Sequence, residues 1–370
     1  MTGIHTLTRW RHWRLAAYII AITLARLVPS LGRAYTRTIY PAIASVIAPI
    51  SSAIPLPIGD IFITASIGWI IVYPIYSICH KKQSKRKTIA RVAEYLAWVY
   101  VWFYVAWGLN YSQPDIYQRM NMQPAEVSAD NFRSFAYRYA DSLNAEYERE
   151  RIKGEKSMFG MEVKRAGKAF KADVQNLIFK GYDDMEHDAE EMGINHTLCR
   201  RPPAKTMLFS SLSSMAGVTG SMAPFFSEFT LNADLQPHEY PATYAHEYAH
   251  FLGIANEGEA NFYSYVACTA SADSGIRFSG YYHILFHVLG NMRKLLGEQE
   301  YAAYLNRINP EIIRLARHDR QYWLSRRSTV LDSAQDFVYN IYLRGNRVEG
   351  GMKSYSGVIG MLMAWEEKKK

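Results

Sequence analysis

The residues best suited to chemistry are His246, Glu247 and His250, which with Tyr248 and Ala249 read HExxH. On a helix, positions 246 and 250 lie one turn apart on the same face, so both imidazoles can reach a single zinc ion. Glu247 sits next to that face. Its carboxylate can accept a proton from a water whose pKa a bound zinc has lowered to about 7. Chance alone puts these residue types at this spacing in about one or two of every hundred chains of this length, so the flanking residues decide what the motif is worth.

Those flanks fit a helix that ends soon after the motif and a second one that begins beside it. Pro241 suits a first helical turn, and Gly253, three residues after His250, suits a glycine cap. Ile254, Ala255 and Asn256 can turn the chain. Glu257 to Phe262 then opens a new apolar-patterned helix with Glu257 and Glu259 in its first turn, where a third ligand is available. If the chain reverses between Gly253 and Asn256, Glu257 starts the new helix beside His250. Asn261 then lies level with His246 and can orient that ring through a hydrogen bond. Glu259 points about 200 degrees around the helix from Glu257, so the two do not face one ion together. The plainer alternative is that both acids only complement the helix N-terminus, worth about 0.3 to 1 kcal/mol.

Other candidates carry less. His283 and His287 are also four apart, but the run around them is apolar and no acid intervenes, which favours a packed helix face over a second metal site. His238 and Glu239 are followed by Pro241, which prevents another HExxH helix. Tyr281, Tyr282 and Arg344 are of the right types to polarise a carbonyl or stabilise an oxyanion. With 27 tyrosines in the chain, packing is the better reading of any one of them. Cys79, Cys199 and Cys268 show no paired spacing and read as structural thiols.

The elements that must position these residues divide the 370-residue chain. Up to Asn110 there are 12 Lys and Arg against only Asp60 and Glu94, whereas the rest carries 30 basic and 32 acidic residues. The basic excess therefore lies beside apolar runs, where membrane orientation explains it better than nucleic-acid binding, and no nucleic-acid partner is expected. Ile61 to Cys79 holds 19 residues without a charge, about enough to span the hydrocarbon core. Tyr95 to Tyr111 is a second uncharged run, rich in Trp and Tyr. Between them Lys81, Lys82, Lys85, Arg86, Lys87 and Arg91 form a basic loop expected to stay cytoplasmic. Leu15 to Ala25 is a shorter apolar run that meets Arg26, readable as a signal-peptide core or as an anchor whose arginine snorkels outward, with the anchor preferred. From Gln113 the composition is that of a soluble domain. Helical patterns cover Ala129 to Arg151 and Glu162 to Phe179, and Thr206 to Leu235 reads as short strands and turns. Within it, Val218 to Asn232 suits either a core strand or an edge that binds a peptide by strand addition.

Two resemblances add to this. The segment with Glu257, Ala260 and Asn261 (ExxAN) is similar to the second-helix motif of gluzincin-like proteases, where the leading glutamate binds zinc and the final Asn or Asp supports the site. HExxHxxG also resembles the metzincin pattern, but the position of that class's third histidine holds Asn256, a poor zinc ligand. More broadly, the chain resembles the bacterial membrane family called domain of unknown function 3810. That rests on IYPAI around Tyr40, IPLPIGD ending at Asp60, WGLNY ending at Tyr111, GVTGSMAPFFSEFTLN, HEYAHFLGIANEGEANF, FSGYY ending at Tyr282 and SYSG from Ser354. The resemblance implies a zincin-like peptidase domain behind membrane helices and supplies no substrate.

The expected fold is α+β and mostly helical. Residues 1–112 form a membrane region with helices near 12–31, 61–79 and 93–111, and 113–370 form a zincin-like domain with a small β-sheet. The expected function is a membrane-anchored zinc metallopeptidase, with His246, His250 and Glu257 as ligands, Glu247 as base, and a peptide or protein as substrate. The expected location is a bacterial inner membrane, crossed several times, with the catalytic domain outside the cytoplasm. The competing reading is a membrane-tethered binding or sensor protein with a structural or vestigial metal site.

Overall fold

The computed structural model describes residues 2–160, 168–187, 202–331, 333 and 357–369. Cys199, Arg344 and the SYSG segment up to Ser356 lie outside the described residues. The chain is mostly helical with one small sheet, in which β1 (Lys205–Thr206), β2 (Gly220–Ala223) and β3 (Glu228–Leu231) pair in the order β1-β3-β2. Two compact units are distinguished. The first is Met1–Pro114 with Thr197–Leu208 and Met222–Glu228; the second is Asp115–His196, Phe209–Ser221 and Phe229–Lys370.

In the first unit, α1 (Thr2–Leu27) stops short of the expected helix end near residue 31. Pro29 is the reason: it has no N–H to donate and pushes Val28 to extended backbone (φ −108°, ψ 105°). At this break the chain bends by 100° into a second helical segment made of α2 (Pro29–Ala34), a π-helical turn at Tyr35–Ile39 and α3 (Tyr40–Ala53). Arg26 does not reach away from the protein; its guanidinium lies 4.9 Å from the centre of the Tyr104 ring.

The helix α4 (Ile58–Cys79) is long and apolar enough to cross a membrane, and the bent pair of α1 with the α2–α3 segment passes the same test if taken as one span. At 22 residues α4 is about 33 Å long, and its Ile63, Ile67, Ile71, Val72 and Ile75 are exposed. Next comes α5 (Lys85–Ala106), capped by Ser84, which ends earlier than expected because the backbone breaks at Trp107 into a 3-10 turn over Gly108–Ser112. It runs back along α4: Tyr95 meets Ser66 (2.6 Å between hydroxyls) and Trp69, and Arg91 reaches the Tyr73 hydroxyl at 3.5 Å. Phe62 and Phe103, from the opposite ends of this hairpin in sequence, both pack on Phe225. The start of α4 is held by a buried ion pair of Lys205 with Glu228. Lys205 also donates to the carbonyls of Ser51 and Leu56, and Glu228 accepts the Gly59 N–H at 2.7 Å.

The second unit comprises α6 (Ile116–Arg119), α7 (Ala129–Arg151), α8 (Lys168–His187), α9 (Ser210–Met215), α10 (Tyr240–Phe251), α11 (Glu257–Thr269), α12 (Ser274–Arg307), α13 (Pro310–Leu324) and α14 (Gly357–Lys368), among the described residues. Their starts carry the expected signals: Ser128, Asn256, Asp273 and Asn309 each accept a backbone N–H of the first turn. The core is aromatic, with Phe132, Phe135, Phe229, Phe251, Phe262, Phe278 and Tyr304 fully buried. Helix α10 sits within it. Tyr240, Tyr244, Tyr248 and Phe251 form a ring-on-ring ladder along one face, against Phe179 and Tyr182 of α8 and Phe229 of β3. That leaves His246 and His250 on the face toward α11, while the Glu247 side chain lies against Gly220 of β2.

Candidate metal centre

The HExxH segment occupies the last two turns of α10, and the way that helix stops shapes the site. Gly253 has φ +93°, which a glycine adopts freely. Its N–H bonds the His250 carbonyl and the Ile254 N–H bonds the Ala249 carbonyl, a Schellman closure. The same turn brings the Ile254 carbonyl to 2.6 Å from His250 Nδ1. A carbonyl can only accept, so Nδ1 carries a proton, and Nε2 is the nitrogen through which the ring could bind a cation.

Asn256 then caps α11 by accepting the Glu259 N–H, which is the role of the residue at the metzincin histidine position. Across the turn, Glu257 Oε2 lies 3.1 Å from His246 Nε2 and 3.4 Å from His250 Nε2, and the two Nε2 atoms are 3.1 Å apart. Glu259 points elsewhere. It accepts the Ile116 N–H at 3.0 Å and pairs with the buried Arg119 at 2.6 Å, tying α6 to α11.

Four-coordinate zinc with bonds of about 2.0–2.1 Å sets neighbouring ligand atoms roughly 3.3 Å apart, so this donor set fits such an ion in atom type and in spacing. The electrostatics point the same way. Burial opposes charge on His250, but the Glu257 carboxylate outweighs it and holds the imidazole up to about 9; reciprocally, burial raises Glu257 while the two imidazoles bring it well below the usual carboxylate range. The trio thus strongly favours a positive charge in its midst.

Glu247 is buried beside this trio, and its charge is felt at His250. Its carboxylate lies against the Cα of Gly220: a Cβ there would stand 2.6 Å from Glu247 Cγ and 2.8 Å from Cδ, and closer still to Oε1. Glu247 can take this position only because residue 220 has no side chain.

The expected hydrogen bond from Asn261 to His246 is not formed. Asn261 Oδ1 instead bonds His283 Nε2 of α12 at 2.9 Å, and His246 Nδ1 is buried with no hydrogen-bond partner among the described residues. Since an amide oxygen only accepts, His283 donates from Nε2. Burial, with the charges of His246 and His287, lowers His283 to about 3, so it stays neutral. Its ring centre is 6.0 Å from that of His246, which makes it a neighbour of the site rather than plain packing.

The tyrosine candidates have other duties. The Tyr281 ring packs edge-on against those of Tyr139 and Tyr265, and the Tyr282 hydroxyl donates to Asp319. Asp319 also bonds His238 Nε2 at 2.7 Å, so His238 ties the approach of α10 to α13. Sequence reasoning missed Gly220 and undervalued His283. Neither spacing nor residue type marked the glycine, whereas a histidine on an otherwise apolar face was a usable signal.

The sequence matches the family model described as protein of unknown function (DUF3810) over residues 35–363. The chain belongs to that family. No curated protein and no solved structure matches it. The DUF3810 match takes in α10, α11 and α12 whole, and with them His246, Glu247, His250, Glu257, Asn261 and His283. Membership carries no chemistry of its own, so the chemistry rests on these side chains.

Proposed function

We propose that this DUF3810 protein is a membrane-anchored zinc metallopeptidase, with a zincin-like domain that holds zinc through His246, His250 and Glu257. The observation that carries the reading is the set of separations of 3.1, 3.1 and 3.4 Å between two imidazole nitrogens and one carboxylate oxygen, with a second buried carboxylate, Glu247, alongside. Zinc bound there would acidify water and polarise a carbonyl. Glu247 takes the proton of the attacking water on its carboxylate and returns it to the leaving nitrogen as the peptide bond breaks. His250 keeps its orientation through Ile254. Gly220 admits the Glu247 side chain, and β2, paired on one side with β3, offers an edge along which an extended peptide can lie. Glu247→Gln tests the mechanism, because it removes the base without removing a ligand. It should keep near-stoichiometric zinc and lower turnover on a broad peptide library by several orders of magnitude; unchanged turnover would remove the mechanism.

The membrane part of the proposal places α4 across a bacterial inner membrane and α5 back along it, with the basic loop of Lys81 to Arg91 in the cytoplasm and the catalytic unit outside. The antiparallel hairpin supports this, since α5 returns the chain to the end where α4 began.

A further inference from the structure

From Thr206 to Ser227 the chain has no Asp, Glu, Lys or Arg, an uncharged run of 22 residues between Lys205 and Glu228. Its first part is exposed and apolar: Leu208 is 42% accessible, Phe209 49%, Leu212 52% and Met215 38%. Phe209, Leu212 and Met215 recur every third residue along α9 and so share one side of it. The other side is bolted to the second unit. Ser214 Oγ donates to Asp234 at 2.6 Å, Asn232 Nδ2 donates to Ser214 Oγ and to the Val218 carbonyl, and the Ala233 N–H bonds Ser210 Oγ. An amphipathic turn is thus held in place with its polar side satisfied and its apolar side outward.

Within the first unit, the residue just before this turn is fixed to the candidate membrane helix. The Leu208 N–H donates to Asp60 Oδ2 at 2.8 Å, and Asp60 lies in the first turn of α4. Ile54 and Leu56, immediately before that turn, are exposed as well. A lipid surface at the start of α4 therefore meets Ile54, Leu56 and Leu208 together, and the chain passes from Leu208 straight into Phe209.

We propose that Phe209, Leu212 and Met215, which follow Leu208 directly in the chain, form an interfacial membrane contact seated among lipid headgroups. The proposal rests on α4 being a membrane helix. The absence of charge throughout the run favours lipid over a protein partner recognised by ion pairs, and the short apolar face matches the shallow insertion of interfacial segments.

The test uses the full chain, with Cys79, Cys199 and Cys268 replaced by serine, reconstituted into phosphatidylcholine–phosphatidylglycerol vesicles. An environment-sensitive fluorophore is attached in turn through Leu212→Cys, Ile67→Cys on α4, and Ile152→Cys, an exposed apolar residue of the second unit. Nitroxide-labelled lipid should quench the probes at 212 and 67 several-fold more than the probe at 152. Quenching at 67 but no more at 212 than at 152 overturns the interfacial contact and leaves the membrane helix standing. A probe at 212 that is shielded from water yet unquenched by lipid means that protein covers the face, and also overturns it. No quenching at 67 removes the membrane reading and the contact with it.

Discussion

Gly253 links the end of a helix to the protonation of the His250 ring. Its positive φ brings the Ile254 carbonyl to His250 Nδ1, so the backbone turn keeps a proton on Nδ1 and leaves Nε2 as the nitrogen that could bind a cation. Alanine at this position would be strained by about 1 kcal/mol or more and would shift the carbonyl. Gly253→Ala is therefore expected to lower the melting temperature by a few degrees and to weaken zinc binding about 10- to 100-fold, the range seen when an outer partner of a metal-binding histidine is lost. Competition against a calibrated chelator measures the second effect. Affinity within twofold of the parent would mean that the cap does not orient the ring.

Helices α10, α11, α12 and α13 are joined by polar ties as well as by aromatic packing. Ser264 and Ser279 hold the first turn of α10 from α11 and α12, and Asp319 joins His238, Tyr282 and α13. Burial raises the Asp319 carboxyl, but His238 and the Tyr282 hydroxyl outweigh it and bring the group below its ordinary value. A depressed folded pKa stabilises the fold above the unfolded value near about 3.9, and that stability is lost as pH falls through the folded value. Asp319→Asn should accordingly cost about 1–3 kcal/mol at pH 7 and show a flatter loss of stability between pH 5 and pH 3. Urea melts across that range check it; an equally steep acid limb would assign the parent's acid sensitivity to other groups.

What was legible in the sequence follows the same division. The motif helix, its glycine stop and the placement of Glu257 and Glu259 on different sides of α11 are local consequences of helical periodicity. The partners of Asn261, Glu259 and Tyr282 are not, because His283, Arg119 and Asp319 lie 22, 140 and 37 residues away. The break at Val28 was signalled by Pro29, but the apolar run around it outweighed that signal.

For the whole molecule, the hairpin of α4 and α5 makes sidedness a consequence of geometry. If α4 crosses a bilayer, the antiparallel α5 returns the chain to the side where α4 began, and Lys81 to Arg91 remain on the other. A reporter inserted near Gln83 should behave as cytoplasmic and one fused after Lys370 as extracytoplasmic. The same side for both would break the hairpin topology, and exchanged sides would put the metal centre in the cytoplasm.

The most direct test of the account is zinc content per chain in the full-length protein and in two single variants. The protein should carry one zinc per chain. Glu257→Ala should lose most of it, because a donor 3.1 Å from His246 Nε2 is gone. Glu259→Ala should keep its zinc while losing about 3–5 kcal/mol of stability, because the buried Arg119 loses its carboxylate partner. A full complement of zinc in Glu257→Ala, or its loss only in Glu259→Ala, would contradict the proposal that His246, His250 and Glu257 hold zinc.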